Sequence, residues 1–337
     1  MLETSTQCAP VCQPDIPTTI RQMGDFNFER QLREDAIAWL SARTADGAEY
    51  VSREDVLDYQ YGGRTFRLQP TQNGIHKPRQ FSGALSIQTV YRRPGAARPY
   101  DDSPGADGVL RYKWRGTDHD SWDNRSLRVA MEQQLPIIWF VGVGMGPAVF
   151  QVVAPVYLLW EEPENQQFAI APDVTAAVAD RTSVWEASIR KYVMSQTKRR
   201  LHQPVFRSTV LRAYESRCAV CNLGHPRLLD AAHIVPDSHQ LGDPSVSNGL
   251  ALCKIHHAAY DARLLGISPD LTVHIHRGLL DEEDGPMLEH GLKRHHGQRL
   301  MKIPHHRLEK PSPKNLELTF IEFEAGSVSN SIPARGV

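Results

Sequence analysis

The sequence lacks the features that mark membrane proteins, secreted proteins and proteins with an overall charge for binding polyanions. No apolar run reaches the roughly 18 residues that a membrane helix requires. The first residues, MLETSTQCAPVCQPDIP, lack the basic region and apolar block of a signal peptide. Lys and Arg number 38 against 39 Asp and Glu, so the net charge of −1 provides no global attraction for nucleic acid. We therefore expect a cytoplasmic protein without a membrane partner, in which any nucleic-acid surface is local.

Cysteine is scarce, with five in 337 residues, but three of the five fall within one short segment. In a reducing location, clustered cysteines favour metal binding over disulfides. Cys218 and Cys221 form a C-x2-C pair, and Cys253 and His256 form a C-x2-H pair. Each pair lies on a predicted tight turn that aims two ligands at one point. The four residues therefore predict one tetrahedral Cys3His structural zinc site.

The pattern along the chain divides it into two domains joined by a connector. Apolar residues at helical spacing predict an amphipathic helix from Phe28, and β-rich runs broken by Gly and Pro turns follow. Helical spacing then resumes in a segment whose basic excess is the strongest in the chain. The predicted fold class is α+β, in five parts: a disordered leader 1–23 with Cys8 and Cys12 as incidental thiols, a mixed β-rich domain 24–172, a basic helical connector 173–206, a C-terminal domain 207–310, and a tail 311–337 that ends in disorder.

The segment around the predicted zinc ligands carries a second set of residues. LLDAAHIVP predicts a strand with His233, and SNGLALC predicts a returning strand opened by Asn248. HHAAYDARLL predicts a helix with His257 and Asp261 one turn apart. A hairpin followed by a helix, with His, Asn and His in this order, resembles the HNH nuclease family and its ββα-metal fold. The resemblance covers roughly residues 207–265 and implies a DNA endonuclease that uses one catalytic divalent cation.

The resemblance implies a role for each matching residue. His233 would be the general base that deprotonates a water in line with the scissile phosphorus. Asn248 would fix the loop that holds His233. His257 would ligate the catalytic cation, which stabilises the departing 3′ oxygen. Many family members carry an acid or a second histidine directly before the base, but this position is Ala232 here.

Two carboxylates are candidates for the missing ligand. Asp230, on the same strand as the base, could reach the cation directly or through water. Asp261 could ligate the cation, orient His257 or cap the helix. A mixed imidazole and carboxylate site accepts Mg, Mn, Ni or Zn, so the sequence leaves the catalytic metal open. The His-rich segment 290–306 has no cysteine or acid at ligand spacing and is interpreted as a solvated basic surface.

The first domain is the candidate for target recognition. Residues 100–143 resemble the amino-terminal domain of predicted restriction endonucleases with a C-terminal HNH module, a domain similar to SRA and other PUA-like modules. That resemblance implies binding of double-stranded DNA with modified bases. A flipped base needs faces to stack on and polar groups for its Watson–Crick edge. The candidate pocket residues are Tyr100, Asp101, Asp102, Tyr112, Trp114, Trp122, Asp123 and Asn124.

A structural role for the same residues competes with the pocket. Tyr112 and Trp114 alternate on a predicted strand, so both could belong to the core. The sequence DSWDN precedes a predicted helix and would serve as its cap.

Three interpretations of function remain open. The favoured one is a modification-dependent restriction endonuclease, of the 5-methylcytosine type for example, that acts as a homodimer because one ββα-metal site cuts one strand. Arg199, Arg200 and Arg207, in and beside the connector, would contact the DNA backbone. The second is an HNH nuclease whose first domain senses a small ligand or an unmodified sequence. The third is a zinc-stabilised DNA-binding protein without catalysis.

Overall fold

The first part of the protein is a helix followed by a mixed sheet. The computed structural model describes residues 18–47, 49–71, 74–91, 109–144, 147–172, 202–236, 239 and 241–329. The helix predicted from Phe28 is confirmed, and it begins earlier, at Thr18, inside the expected leader. The elements of the first part are α1 (Thr18–Arg43), β1 (Val51–Ser52), β2 (Gln60–Tyr61), β3 (Arg64–Thr65), β4 (Ile75–His76), β5 (Ser86–Thr89), β6 (Leu110–Lys113), α2 (Trp122–Glu132), β7 (Ile137–Gly142), β8 (Val149–Glu162) and β9 (Gln167–Ala171).

The main sheet has the strand order β4-β5-β7-β8-β9-β6, and β1 pairs with β8. The β5–β7 pair is parallel, and the other pairs are antiparallel. Strand β7 alternates between two cores: Ile137 and Trp139 pack with α2, whereas Ile138 and Phe140 pack with α1. Because successive side chains point to opposite faces and both faces are covered, the run IIWF is apolar throughout. The predicted mixed α+β class is confirmed; the PUA/SRA-like identity of this part stays a prediction.

An ion pair is buried between α1 and the sheet. Glu29 and Arg33 are 2% and 0% exposed, and Glu29 Oε1 accepts from Arg33 Nη2 at 2.5 Å. The guanidinium also donates to the carbonyl oxygens of Gly83, Ala84 and Pro136 at 2.8–3.0 Å. Burial lowers the pKa of Arg33, and the interaction with Glu29 opposes that shift. The carboxylate therefore compensates a charge that cannot be hydrated.

We expect Glu29→Ala to lower the free energy of unfolding by about 3–5 kcal/mol, because removal of one partner leaves a buried charge uncompensated. The variant also loses the hydrogen bonds that Ser82 donates to Glu29 Oε2. Chemical denaturation of the two variants Glu29→Ala and Glu34→Ala measures the effect, since Glu34 is an exposed glutamate on the same helix. Equal stability of the two variants would contradict this account of α1 docking.

The second part of the protein is built around two hairpins and short helices. Strands β10 and β11 pair antiparallel, and so do β12 and β13. The elements are α3 (Gln203–Ala213), β10 (Leu229–His233), β11 (Gly249–Cys253), α4 (Lys254–Asp261), β12 (Leu265–Ile267), β13 (Val273–Ile275), α5 (Arg277–Leu280), α6 (Pro286–Gly291) and α7 (Pro313–Ser329). The predicted strand–strand–helix order at β10, β11 and α4 is confirmed. No helix among the described residues is long and apolar enough to cross a membrane.

The packing of this part extends beyond its predicted C-terminal boundary at residue 310. The tail predicted from residue 311 is instead helix α7 over its first half, and Leu316 of α7 is fully buried in the core of the second part. Phe323 packs on Gly266 of β12, where a Cβ atom would lie 2.6 Å from the phenyl ring. Leu316 and Phe323 are seven residues apart, a helical spacing that predicts this face. Residues 173–201 of the predicted connector, residues 1–17 of the predicted leader and residues 330–337 of the predicted tail lie outside the described residues.

Candidate active site and metal cluster

Cys218, Cys221, Cys253 and His256 meet in the core of the second part. Their ligand atoms all lie within 4.8 Å of one another. The His256 Nδ1 atom is 3.5 Å from Cys218 Sγ and 3.1 Å from Cys253 Sγ, and Cys221 Sγ is 4.0 Å from Cys253 Sγ. The first pair follows α3, whereas the second spans the junction of β11 and α4. The hairpin and the preceding turn thus converge on one point.

This arrangement fits a tetrahedral metal ion. Ligand atoms around zinc, with bonds of about 2.3 Å to sulfur and about 2.0 Å to nitrogen, lie about 3.5–3.8 Å apart. The observed separations bracket these values. His256 Nε2 lies 2.8 Å from the carbonyl oxygen of Gly291 at the end of α6, so Nε2 donates and Nδ1 keeps its lone pair for a metal. The cluster could therefore hold zinc.

Asn248 fixes the segment that follows His233. The Asn248 side chain is fully buried. Its Oδ1 accepts from the Val235 amide at 2.9 Å, and its Nδ2 donates to the carbonyl oxygens of Val235 and Asp243 at 3.0 and 2.9 Å. Asn315 of α7 donates to the same Oδ1 at 2.9 Å. An amide that donates and accepts at once can hold both backbone strands of this loop.

His233 lies at the end of β10, half-buried, opposite Gly249 of β11. Its imidazole is stacked on the Phe206 ring of α3, with ring centroids 3.9 Å apart and an angle of 11° between the planes. One face of the imidazole is therefore covered by an apolar ring. The ring edge, where both nitrogens lie, is not part of the stack.

His257 lies between the two predicted carboxylates. Its Nδ1 is 3.6 Å from Asp230 Oδ2, and its Nε2 is 3.3 Å from Asp261 Oδ2. Lys254 Nζ lies 2.7 Å from the same oxygen of Asp230. Because one imidazole binds a cation through one nitrogen, one carboxylate can share the cation with His257 while the other orients the ring. The described residues contain no comparable three-ligand cluster around His257.

The charges around Asp230 favour its ionised form. Burial raises the pKa of Asp230, but the contacts with His257 and Lys254 outweigh burial and hold this pKa below its ordinary value. The contact with Asp230 in turn raises the pKa of His257, against the effect of burial. Asp230 is thus held in its ionised form, the form in which a carboxylate can ligate a cation, and Lys254 neutralises one of its oxygens.

The predicted base-pocket residues that the structure describes lie mostly in the core. Tyr112 is 7% exposed, donates to the carbonyl oxygen of Gly74 and packs on Trp139. Trp114 is 4% exposed within the same core. Asn124 is fully buried, where it accepts from the Arg115 amide and donates to the carbonyl oxygens of Arg115 and Asp118. These three side chains therefore have the structural role that competed with the base pocket. Tyr100, Asp101 and Asp102 lie outside the described residues.

Trp122 is exposed and Asp123 is buried, but the two share a feature that the other three lack. Both line a cavity of about 620 Å³ at the amino end of α2. Trp122 is 52% exposed, and Lys77 Nζ lies 5.3 Å from the centroid of its ring. Asp123 accepts a short hydrogen bond from Arg115. The cavity lining is Pro70, Thr71, Ile75, His76, Lys77, Arg115, Gly116, Ser121, Trp122 and Asp123.

Arg207 is the one of the three predicted DNA-backbone arginines that the structure describes. Its Nη2 donates to the carbonyl oxygens of Pro226 and Leu229, and its Nε lies 3.6 Å from Asp230 Oδ1. These contacts hold the guanidinium beside the strand of the candidate site. Arg199 and Arg200 lie outside the described residues.

Sequence reasoning missed three side chains at the site. Lys254, next to Asp230, is three residues before His257, and this helical spacing could have identified it. Phe206 and Asn315 reach the site from helices distant in the sequence, and no local pattern pairs them with His233 or Asn248.

Residues 218–268 match the family described as HNH endonuclease. The chain therefore contains an HNH endonuclease domain. Two solved structures resemble the chain. One is the "Modification dependent TagI restriction endonuclease", 19% identical over 85% of this chain and 93% of that chain, with a TM-score of 0.27. The other is described as "Structure of the Type IV phosphorothioation-dependent restriction endonuclease ScoMcrA", 13% identical over 78% of this chain and 57% of that chain, with a TM-score of 0.21. TM-scores this low do not establish a common fold. No curated protein matches the sequence.

Proposed function

We propose that the protein is a DNA endonuclease that cuts double-stranded DNA carrying modified bases. The observation that carries this proposal is the HNH match at residues 218–268. This segment contains His233, Asn248 and His257, which lie on one hairpin and the helix that follows it. The matching segment is about one seventh of the chain. The proposal for the whole protein therefore depends on the chemistry of the first part as well as on this domain.

In the proposed reaction, His233 accepts a proton from water as the water oxygen forms a bond to the phosphorus. The bond from phosphorus to the 3′ oxygen breaks, and that oxygen takes a proton from solvent. A neutral imidazole serves this step because its ordinary pKa lies close to neutral pH. Asn248 holds the segment after His233 through the hydrogen bonds to Val235, which keeps the base in place.

His257, with Asp230 or Asp261, would hold a divalent cation, for which Mg and Mn are the first candidates and Ni and Zn the next. Such a cation would neutralise charge on the phosphate and on the departing oxygen. Lys254 and Arg207, both beside Asp230, provide further positive charge for the DNA backbone. Zinc at the Cys3His cluster would have a structural role, because all four positions are taken by protein ligands.

We assign recognition of the modified base to the first part, as an SRA- or PUA-like module. The cavity at the amino end of α2 supports this assignment. Trp122 provides an exposed aromatic face, and His76, Lys77 and Arg115 provide polar and cationic groups around it. Stacking on an aromatic face and contacts to polar groups are what an extruded base requires.

Plasmid cleavage in Mg or Mn tests the proposal. We expect the protein to cut plasmid DNA from a host that methylates cytosine and not DNA from a non-modifying host. Removal of the aromatic side chain on which one base stacks lowers the binding free energy by about 1–3 kcal/mol. Trp122→Ala should therefore weaken binding to the modified DNA by about 5- to 150-fold, as measured by titration with a labelled duplex.

Trp160 offers a matched control for Trp122. It lies beneath Arg111 in a similar cation–π pair, with 5.5 Å between the guanidinium and the ring centroid, and it does not line the cavity. Trp160→Ala should retain the preference for modified DNA. Equal cutting of both plasmids by the unaltered protein would refute base recognition and leave the nuclease. DNA binding without cutting in any metal would favour the binding-only alternative.

A double-strand break requires two cuts, and one ββα-metal site provides one. We therefore propose a homodimer as the active species on DNA.

A further inference from the structure

Helix α3 lies between the two parts of the protein and presents a different face to each. On one face, Val205 packs against the core of the first part. Ser208 Oγ donates to Gln151 Oε1 of β8, and both side chains are buried. Arg212 Nη2, on the next turn, donates to the carbonyl oxygen of Pro147 at 2.8 Å. These positions are three and four residues apart, a spacing that places them on one side of a helix.

The opposite face of α3 packs on the hairpin of the HNH domain. Tyr214, which follows α3, donates from its hydroxyl to the carbonyl oxygen of Gly249 at 3.1 Å. A Cβ atom at Gly249 would lie 2.4 Å from Val210 Cγ2 and 3.1 Å from Phe206 Cζ. The absence of a side chain at Gly249 thus lets α3 approach the backbone of β11. Gly249 is the partner of His233 across the hairpin.

Phe206 connects this packing to the histidine. The phenyl ring is 4% exposed and lies parallel to the imidazole of His233 at 3.9 Å. Contact with the ring face limits tilting of the imidazole and leaves its in-plane nitrogens able to form hydrogen bonds. A general base must lie within hydrogen-bond distance of the proton it takes, and a misplacement of about 1 Å can lower a rate about 100-fold.

We propose that Phe206 is a positioning residue for His233, through which helix α3 couples the arrangement of the first part to the general base. The catalytic role of His233 rests on the proposed function, but its contact with Phe206 does not. A rigid helix in close contact on both faces cannot move at Ser208 without moving at Phe206. DNA bound by the first part would in this way influence the position of His233 in the nuclease.

The experiment uses the full chain loaded with zinc and labelled with ¹³C at the ε1 position of histidine. The His233 signal is assigned from its loss in His233→Ala. Stacking on a phenyl ring shifts the imidazole proton signal upfield, so we expect Phe206→Leu to move this signal downfield. We also expect kcat for plasmid cleavage to fall by about 10- to 100-fold, with KM unchanged.

Val210→Ala is the matched control for lost packing. Val210 is fully buried on the same face of α3 but is not stacked on His233. This variant should lower the thermal unfolding midpoint and should alter the His233 signal and kcat less than Phe206→Leu does. If Phe206→Leu leaves kcat unaltered, Phe206 is structural only and the proposal is refuted, even where the signal moves, because loss of the phenyl ring current alone shifts it.

The coupling through α3 has its own pair of variants. Ser208→Ala removes the hydrogen bond to Gln151, whereas Tyr91→Phe removes the bond from Tyr91 to Glu309, which also joins the two parts but does not involve α3. We expect Ser208→Ala to move the His233 signal in the direction of Phe206→Leu and Tyr91→Phe to leave it in place. Identical signals in the two variants would overturn the coupling. Because the signal is read without cleavage, a protein that cuts no DNA would refute the proposed function and leave this test valid.

Discussion

Replacement of His233 by alanine is expected to slow DNA cleavage by about 10²- to 10⁴-fold and to leave DNA binding unchanged. The magnitude is that of a general base removed from a hydrolytic site. Binding should persist because the cationic groups beside the site, Lys254 and Arg207, are carried by other elements. Single-turnover cleavage of a saturated duplex, together with a binding titration in Ca, separates the two effects.

His225 provides the control for His233→Ala. It is an exposed histidine in the same domain, so His225→Ala should cleave at the rate of the unaltered protein. Full activity of His233→Ala would remove the general base from the proposal. Loss of binding together with cleavage would mean that His233 has a structural role on β10.

The candidate site is assembled from side chains that are close in sequence and from others that are distant. His233, Asn248 and His257 lie within 25 residues of sequence, on one hairpin and the helix that follows it, so the sequence alone predicts that they belong to one structural unit. Asn315 and Phe206 are recruited by the packing of α7 and α3, which no local pattern specifies. Sequence-based prediction therefore finds the candidate residues of the hairpin and its following helix and misses the side chains that α3 and α7 bring to them.

In the first part, by contrast, one sequence pattern fits two different structural roles. Tyr112 of β6 and Trp114, directly after β6, alternate in the way that both a stacking platform and a buried strand face would require. In the structure they pack beneath α2, in a core formed with β7 and β9. The parallel pairing of β5 with β7 creates that core, and parallel pairing joins residues about 50 positions apart. Among the predicted stacking residues that the structure describes, only Trp122, at the start of α2, keeps an exposed ring.

Cys253→Ser is expected to prevent folding of the HNH domain and to reduce the zinc content of the protein from about one ion per chain to a small fraction. Zinc binding to small structural sites amounts to about 10–16 kcal/mol at neutral pH. The net stability of a domain is about 5–15 kcal/mol, so loss of the ion removes a free energy of the same size. Elemental analysis and thermal unfolding measure the two effects.

The position of the cluster in the core explains why loss of zinc should destabilise the whole HNH domain. Cys218 and Cys253 are 0% and 5% exposed within the core that also contains β10, β11 and Leu316 of α7. His256 ties the cluster to α6 through the carbonyl oxygen of Gly291. Without an ion, three thiols and an imidazole would be packed together in an apolar interior, where polar groups are costly.

The first part has separate cores formed by α1, α2 and the main sheet, so its unfolding transition should persist in Cys253→Ser while that of the HNH domain disappears. Cys8→Ser is the control, because Cys8 belongs to no predicted ligand pair. A strong chelator should reproduce the effect of Cys253→Ser, and returned zinc should reverse it only in the unaltered protein. Two intact transitions in the zinc-free protein would show that the four side chains form a core cluster that needs no ion.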